Sequence, residues 1–133
     1  MQKVSHTSGR KKRAIARATV VDGSGSVIIN SIPLENFRDN ISRLKIFEPL
    51  LLSDSLKDKV NIKVDVHGGG YSAQADAVKL SIAKGLVKYS NDKKLKETYL
   101  NYDRNLLIAD VRVAESSKPN DSKPRKKRQK SYR

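Results

Sequence analysis

The chain has 133 residues, enough for one domain with a real core, yet only 37% of them are hydrophobic, 5% are aromatic and none is tryptophan. Part of it should therefore lie outside the core. It carries 28 basic against 14 acidic residues, a net charge of +14, and no cysteine, which excludes disulfides, zinc–thiolate centres and cysteine nucleophiles. No apolar run approaches the ~18 residues of a membrane span, and no apolar stretch of a secretory signal is visible near the N-terminus, so no membrane partner is expected.

Residues 1–9 are polar and read as a flexible lead-in. RAIARATVV (13–21) is rich in small and β-branched residues and reads as a strand. DGSG (22–25) is a turn signal, so Ser26–Asn30 is expected to return as the second strand of a hairpin. Pro33 suits the first turn of a short helix over LENFRDN, and SRLKIFEPLLL predicts another helix from Ser42, strained at Pro49. Lys59–His67 is the clearest strand: Val60, Ile62, Val64 and Val66 alternate strictly with polar residues, so one face is core and the other is wet or meets a partner. Ser72–Tyr89 is the best helix, with Ala75, Val78, Ile82, Leu86 and Tyr89 at helical spacing and Ser72 as its cap. A further helix is expected over Asp92–Tyr102, capped by Asp92, and a last short strand over Leu106–Ala114. The order of elements predicts an α+β domain over residues 10–115: a mostly antiparallel sheet with helices on one face. Residues 116–133 have the composition of a disordered, extended basic tail.

The charge sits at the two ends. Residues 1–17 hold six bases and no acid, residues 116–133 hold eight bases and one acid (+7), and residues 18–115 hold 14 bases and 13 acids (+1). Two such arms repel each other unless a polyanion neutralises them. Arg10, Lys11, Lys12 and Arg13 run into a strand, with Arg17 beyond. Arg125, Lys126, Lys127 and Arg128 run in the tail, which fully extended reaches on the order of 60 Å. Cations in this arrangement release counterions from phosphates and suit threading into a folded RNA. No helix-turn-helix, zinc finger or aromatic stacking motif is visible.

Between them lies VDVHGGGYSAQADAVKLSIAKGL (64–86). Gly68, Gly70 and Ala73 fit the spacing of a dinucleotide cradle, but the acidic residue at the required distance, Asp92, falls between two helical stretches, and no doubly wound sheet fits in what remains. One glycine suffices for a turn. Three in a row, each with an entropy cost, suggest backbone pressed against something, and a helix N-terminus beside bare amides attracts phosphate of any kind. His67 lacks the company of a nucleophile or of other metal ligands, so neither catalysis nor a metal nor a cofactor is expected.

SGRKKRAIARATV, then GSGSVIIN with IPLE, then GGGYSAQADAVKLSIAKGL and the closing RKKRQKSYR together resemble the universal small-subunit ribosomal protein S-nine family, collinearly along essentially the whole chain. The middle stretch is the most specific: three glycines, two variable residues, a small residue and Gln74, small residues at 77, 81 and 83, then Lys84-Gly85-Leu86. FEPLLL and the ending QKSYR look like the archaeal and eukaryotic cytosolic branch. The resemblance implies a two-layer fold like the second domain of ribosomal protein S-five, with a left-handed βαβ crossover, against the usual hand. It implies a structural constituent of the head of the small ribosomal subunit in the cytoplasm, beside neighbouring head proteins, doing no chemistry. Small-subunit ribosomal RNA would be met by Arg10, Lys11, Lys12, Arg13, Arg17, His67, Gly68, Gly69, Gly70, Tyr71, Gln74 and Lys84, and by Arg125 to Arg128 along the tail. The tail's end would reach peptidyl-site tRNA, with Arg133 the prime contact and Lys130, Ser131 and Tyr132 beside it. Two other readings stay open: a free nucleic-acid-binding regulator, and a small nucleotide-binding enzyme of the same fold.

Overall fold

The computed structural model describes residues 3–119, 123–124 and 132–133. The elements run β1 (Val4–Lys11), β2 (Ala14–Asp22), β3 (Val27–Ile29), β4 (Ile32–Pro33), α1 (Asn40–Leu52), β5 (Val60–His67), α2 (Tyr71–Ser90) and α3 (Lys93–Tyr102). The strands form one sheet in the order β1-β2-β5-β3-β4, antiparallel except for β3 beside β5. The α+β class with helices over one sheet face is therefore as expected.

The core is the seam between that face and α2. Register places Ala16 beside Val66, Ala18 beside Val64 and Val20 beside Ile62, and all six are buried. Period-two alternation thus works on both central strands at once. The alanines of β2 leave room for the helix. On β1 the inward residues are Ser5, Thr7 and Gly9, and a Cβ added at Gly9 would lie 2.3 Å from the Ala77 carbonyl oxygen and 2.8 Å from the Ser81 amide nitrogen. Thr7 Oγ1 donates to the Ser81 carbonyl at 2.8 Å, and a Cβ at Gly85 would lie 2.8 Å from Val20 Cγ2. Ala77, Ser81 and Gly85 recur every four residues, so they share one helix face, and that face lies against β1 and β2.

The lead-in expected over residues 1–9 is a strand from Val4 onward. Its polar inward face hid it: small and hydroxyl residues there meet helix backbone, not apolar side chains. The hairpin closing β1 onto β2 turns at Lys12–Arg13, with Lys12 at φ 53°, a region lysine seldom occupies.

The expected hairpin of β2 with β3 does not form, because β5 lies between them. The turn at residues 22–26 instead wraps the start of β5. Gly23 and Gly25 donate to the carbonyls of Lys59 and Val60 at 2.9 and 3.1 Å. Asn61 Oδ1 accepts from the amides of Ser24 and Ser26 at 2.9 and 3.1 Å, and a Cβ at Gly23 would lie 2.0 Å from Asn61 Cγ. Glycine is needed there for room. β3 then runs parallel to β5, and Asn30 extends the ladder with its side chain, giving to the Val66 carbonyl at 2.9 Å and taking from its amide at 2.8 Å. Asn30 and Ser31, both at positive φ, turn the chain into β4, as a two-residue hairpin loop requires.

The short helix over LENFRDN shrinks to a 3₁₀ turn at Leu34–Asn36, ended by extended Phe37 and by Arg38 at φ 33°. α1 starts two residues before Ser42, because Asp39 is its cap, accepting from the Ser42 amide at 3.3 Å. Pro49 stays inside α1. Its carbonyl accepts the buried Tyr99 hydroxyl at 2.7 Å, and burial pushes that phenol well above its ordinary range. Asp92 caps α3 as expected. Leu106–Ala114 is not a strand. Leu106 ends a 3₁₀ turn, residues 109–117 pair with no strand, and the Asp110 carboxylate accepts from the Arg112 amide at 3.1 Å with Val111 between them 86% exposed.

Candidate nucleic-acid interface

Three segments meet at one end of the sheet. The β1–β2 tip brings Lys11, Lys12 and Arg13. The turn after β5 brings Gly69, Gly70 and Ala73. The chain after α3 brings Asp110, Arg112, Val113 and Ala114. Between them lies an open cleft of about 720 Å³.

Each wall has a local cause. Gly68 and Gly69 take φ of 75° and 65°. An added Cβ would sit 2.7 Å from the Arg13 carbonyl oxygen at Gly68 and 2.9 Å from the Ala14 amide nitrogen at Gly69. The backbone is indeed pressed against something, and for these two it is the chain's own hairpin. Gly70 differs: φ is −92°, and a Cβ there would meet nothing within 4 Å. It is the N-cap of α2, in place of the expected Ser72, and no side chain caps the helix. The first amides and the positive end of the helix dipole are thus left for an anion at the cleft. Gln74 holds the turn from behind, its Nε2 donating to the Gly68 carbonyl at 3.0 Å.

Sequence reasoning missed the third wall. Lys11 Nζ meets Asp110 Oδ2 at 2.5 Å and Arg112 meets the same oxygen at 2.7 Å. Hydrogen bonds from Arg112 first and Lys11 second hold the Asp110 carboxyl well below the usual carboxylate range. One carboxylate thus fixes two cations at the cleft rim, leaving a positive excess with Lys12 and Arg13. Lys11 and Asp110 are 99 positions apart, so no local pattern announces the pair.

The other expected contact residues are dispersed. Arg10, Arg17 and His67 are exposed on the sheet face away from α2. Tyr71 opens α2 and is 65% exposed. Lys84 lies along the helix, its ammonium 3.4 Å from the Ser8 carbonyl oxygen on the outer edge of β1, and Lys88 meets the His6 carbonyl in the same way at 3.1 Å. Both cover carbonyls that an edge strand leaves unpaired. Arg125, Lys126, Lys127, Arg128, Lys130 and Ser131 lie outside the described residues, and Tyr132 and Arg133 are exposed. Among the described residues no His, Asp or Glu group could hold a metal, and no helix is long and apolar enough to cross a membrane.

An α+β domain with an anion-attracting cleft, extended by a basic terminal segment, is the build of a polyanion-binding protein. The chain matches the model of the family described as "Ribosomal protein S9/S16" over residues 9–133. It is 49% identical over 131 residues to the small ribosomal subunit protein uS9 of Halobacterium salinarum, covering 98% of this chain and 99% of that one. It is 44% identical to the protein of that name in Methanothrix thermoacetophila and 42% identical to that of Methanococcus vannielii, with the same coverage. The chain belongs to the ribosomal protein S9/S16 family, and is therefore a structural, non-enzymatic component of the ribosome, in the cytoplasm.

Proposed function

We propose that the chain is the S9-type protein of the small ribosomal subunit, binding small-subunit ribosomal RNA in the head beside neighbouring head proteins, with its C-terminal residues on peptidyl-site tRNA. The observation that carries this is the collinear match of nearly the whole chain to relatives named as small-subunit proteins. The cleft supplies the chemistry: Lys11, Lys12, Arg13 and Arg112 surround the uncapped start of α2, and such a site takes phosphate oxygens without reading base sequence. On this reading the fold is that of the second domain of ribosomal protein S-five, its left-handed crossover being the passage through α1 from β3 to the parallel β5. Along the tail, Arg125 to Arg128 meet ribosomal RNA, and Lys130, Ser131, Tyr132 and Arg133 meet tRNA. A terminal guanidinium can grip phosphate bidentately, which an ammonium cannot copy.

Sedimentation tests the ribosomal home. The full chain should stay with small subunits as salt is raised, and release already at low salt would favour a free regulator. Filter binding tests the tail: deleting 129–133 should weaken tRNA binding to small subunits, and Arg133→Lys should weaken it less. An unchanged affinity after the deletion removes the tRNA role.

A further inference from the structure

The sheet has a second face that no helix covers among the described residues. Register lays four rows across it: Val4, Val21 and Asn61; then His6, Thr19, Lys63 and Ile28; then Ser8, Arg17 and Asp65; then Arg10, Ile15 and His67. His6, Ser8, Arg10, Arg17, Lys63, Asp65 and His67 are all exposed. Three cations face one carboxylate, and none of the ion pairs among the described residues involves Arg10, Arg17 or Lys63.

The chemistry of this face selects its ligand. It has no Phe, Tyr or Trp as a platform on which successive bases could stack, and its only rings are the imidazoles of His6 and His67. Its apolar members are the half-buried Ile15, Ile28 and Val21 and the exposed Val4; Val4 and Val21 lie in the end row, away from Arg17 and Lys63, whereas a protein interface would need aromatic or apolar anchors at its centre with charge depleted. What it offers is separated cations on a rigid sheet, with the hydroxyls of Ser8 and Thr19 and the imidazoles of His6 and His67 between them. His6 Nδ1 and Thr19 Oγ1 lie 3.1 Å apart. That set suits phosphate and ribose oxygens.

Position adds a second reason. Arg10 and Lys11 are neighbours on β1 at opposite register parity: Lys11 lines the cleft, and Arg10, in the outward row, reaches the hairpin tip, its Nε donating to the Lys12 carbonyl at 3.2 Å. His67 immediately precedes the glycine turn that walls the cleft. The two surfaces therefore meet at the Lys12–Arg13 tip.

We propose that the open sheet face, centred on Arg17 and Lys63, is a second RNA-backbone surface, so that the β1–β2 tip is held between phosphates on both of its sides. This rests on the ribosomal RNA-binding reading of the cleft. The test compares full-length parent, an Arg17→Ala/Lys63→Ala variant and a Lys12→Ala/Arg112→Ala variant, each titrated with a small-subunit ribosomal RNA transcript over a salt series. Each lost phosphate contact makes the slope of log affinity against log salt shallower by roughly 0.7–0.9, so the face variant should lose about 1.4–1.8. If its slope matches the parent's while the cleft variant's falls, the second surface is wrong and the cleft stands. If neither changes, both readings fall. A Lys63→Cys protein carrying a tethered hydroxyl-radical source checks the same claim in assembled subunits and needs no cation pair removed. Scission of ribosomal RNA from that site is expected, and its absence overturns the proposal.

Discussion

The middle of α2 and its first turn use the same small residues for different partners. Along the middle, Ala77, Ser81 and Gly85 are small because β1 and β2 lie against them, and a Cβ at the facing Gly9 would come within 2.3 Å of helix backbone. At the first turn, Gly70 faces open space, beside cations that the chain itself neutralises only in part. The first region is closed by the chain's own atoms. The second gains its purpose only from a partner. Small residues alone do not distinguish the two; what their absent Cβ atoms would touch does.

Substitutions can break or sharpen that contrast. Gly9→Ala should cost most, on the order of 3 kcal/mol or more, because the obstruction is helix backbone and cannot swing aside. Chemical denaturation would show it as a lower midpoint. Gly68→Ala combines a left-handed φ with a Cβ 2.7 Å from the Arg13 carbonyl oxygen. We expect a loss of about 2 kcal/mol, although this glycine belongs to the anion-facing stretch. A near-neutral result would mean that the hairpin yields and that the first turn is open throughout.

Asp110 gives a smaller effect with a definite sign. Its carboxyl is depressed in the folded chain, so its ionised form favours folding. That contribution is present above the unfolded carboxylate value of ~3.9 and is lost as pH falls toward the lower folded value. Asp110→Asn should lower the melting temperature slightly at neutral pH and flatten its decline in acid. Parallel melting curves for the two proteins would show that the carboxylate does not organise the rim. Gly70→Ala should cost least of the glycine substitutions, no more than about 1 kcal/mol from alanine's poorer fit to an N-cap, since its φ of −92° suits any residue.

Much of this was legible in the sequence. The alternation of Val60, Ile62, Val64 and Val66 and the helical spacing from Ala75 to Tyr89 each reflect one element burying one face. β1 was hidden because Ser5, Thr7 and Gly9 bury against helix backbone, which needs small residues and leaves no apolar pattern. Its turn at Lys12–Arg13 lacks the glycine or asparagine that announces a hairpin. The DGSG signal suggests a β2–β3 hairpin that does not form, because Gly23 makes room for Asn61, a residue far along the chain. The basic run Arg10 to Arg13 flagged one wall of the cleft, but Arg112 and Asp110 join it only through a contact spanning 99 positions.

The central claim is that the cleft grips ribosomal RNA backbone, and the salt dependence of RNA binding by a Lys12→Ala/Arg13→Ala/Arg112→Ala protein tests it most directly. With three phosphate contacts removed, the slope should become shallower by roughly 2–2.7 while the melting temperature barely moves. A slope equal to the parent's, in a protein that is still folded, would contradict it.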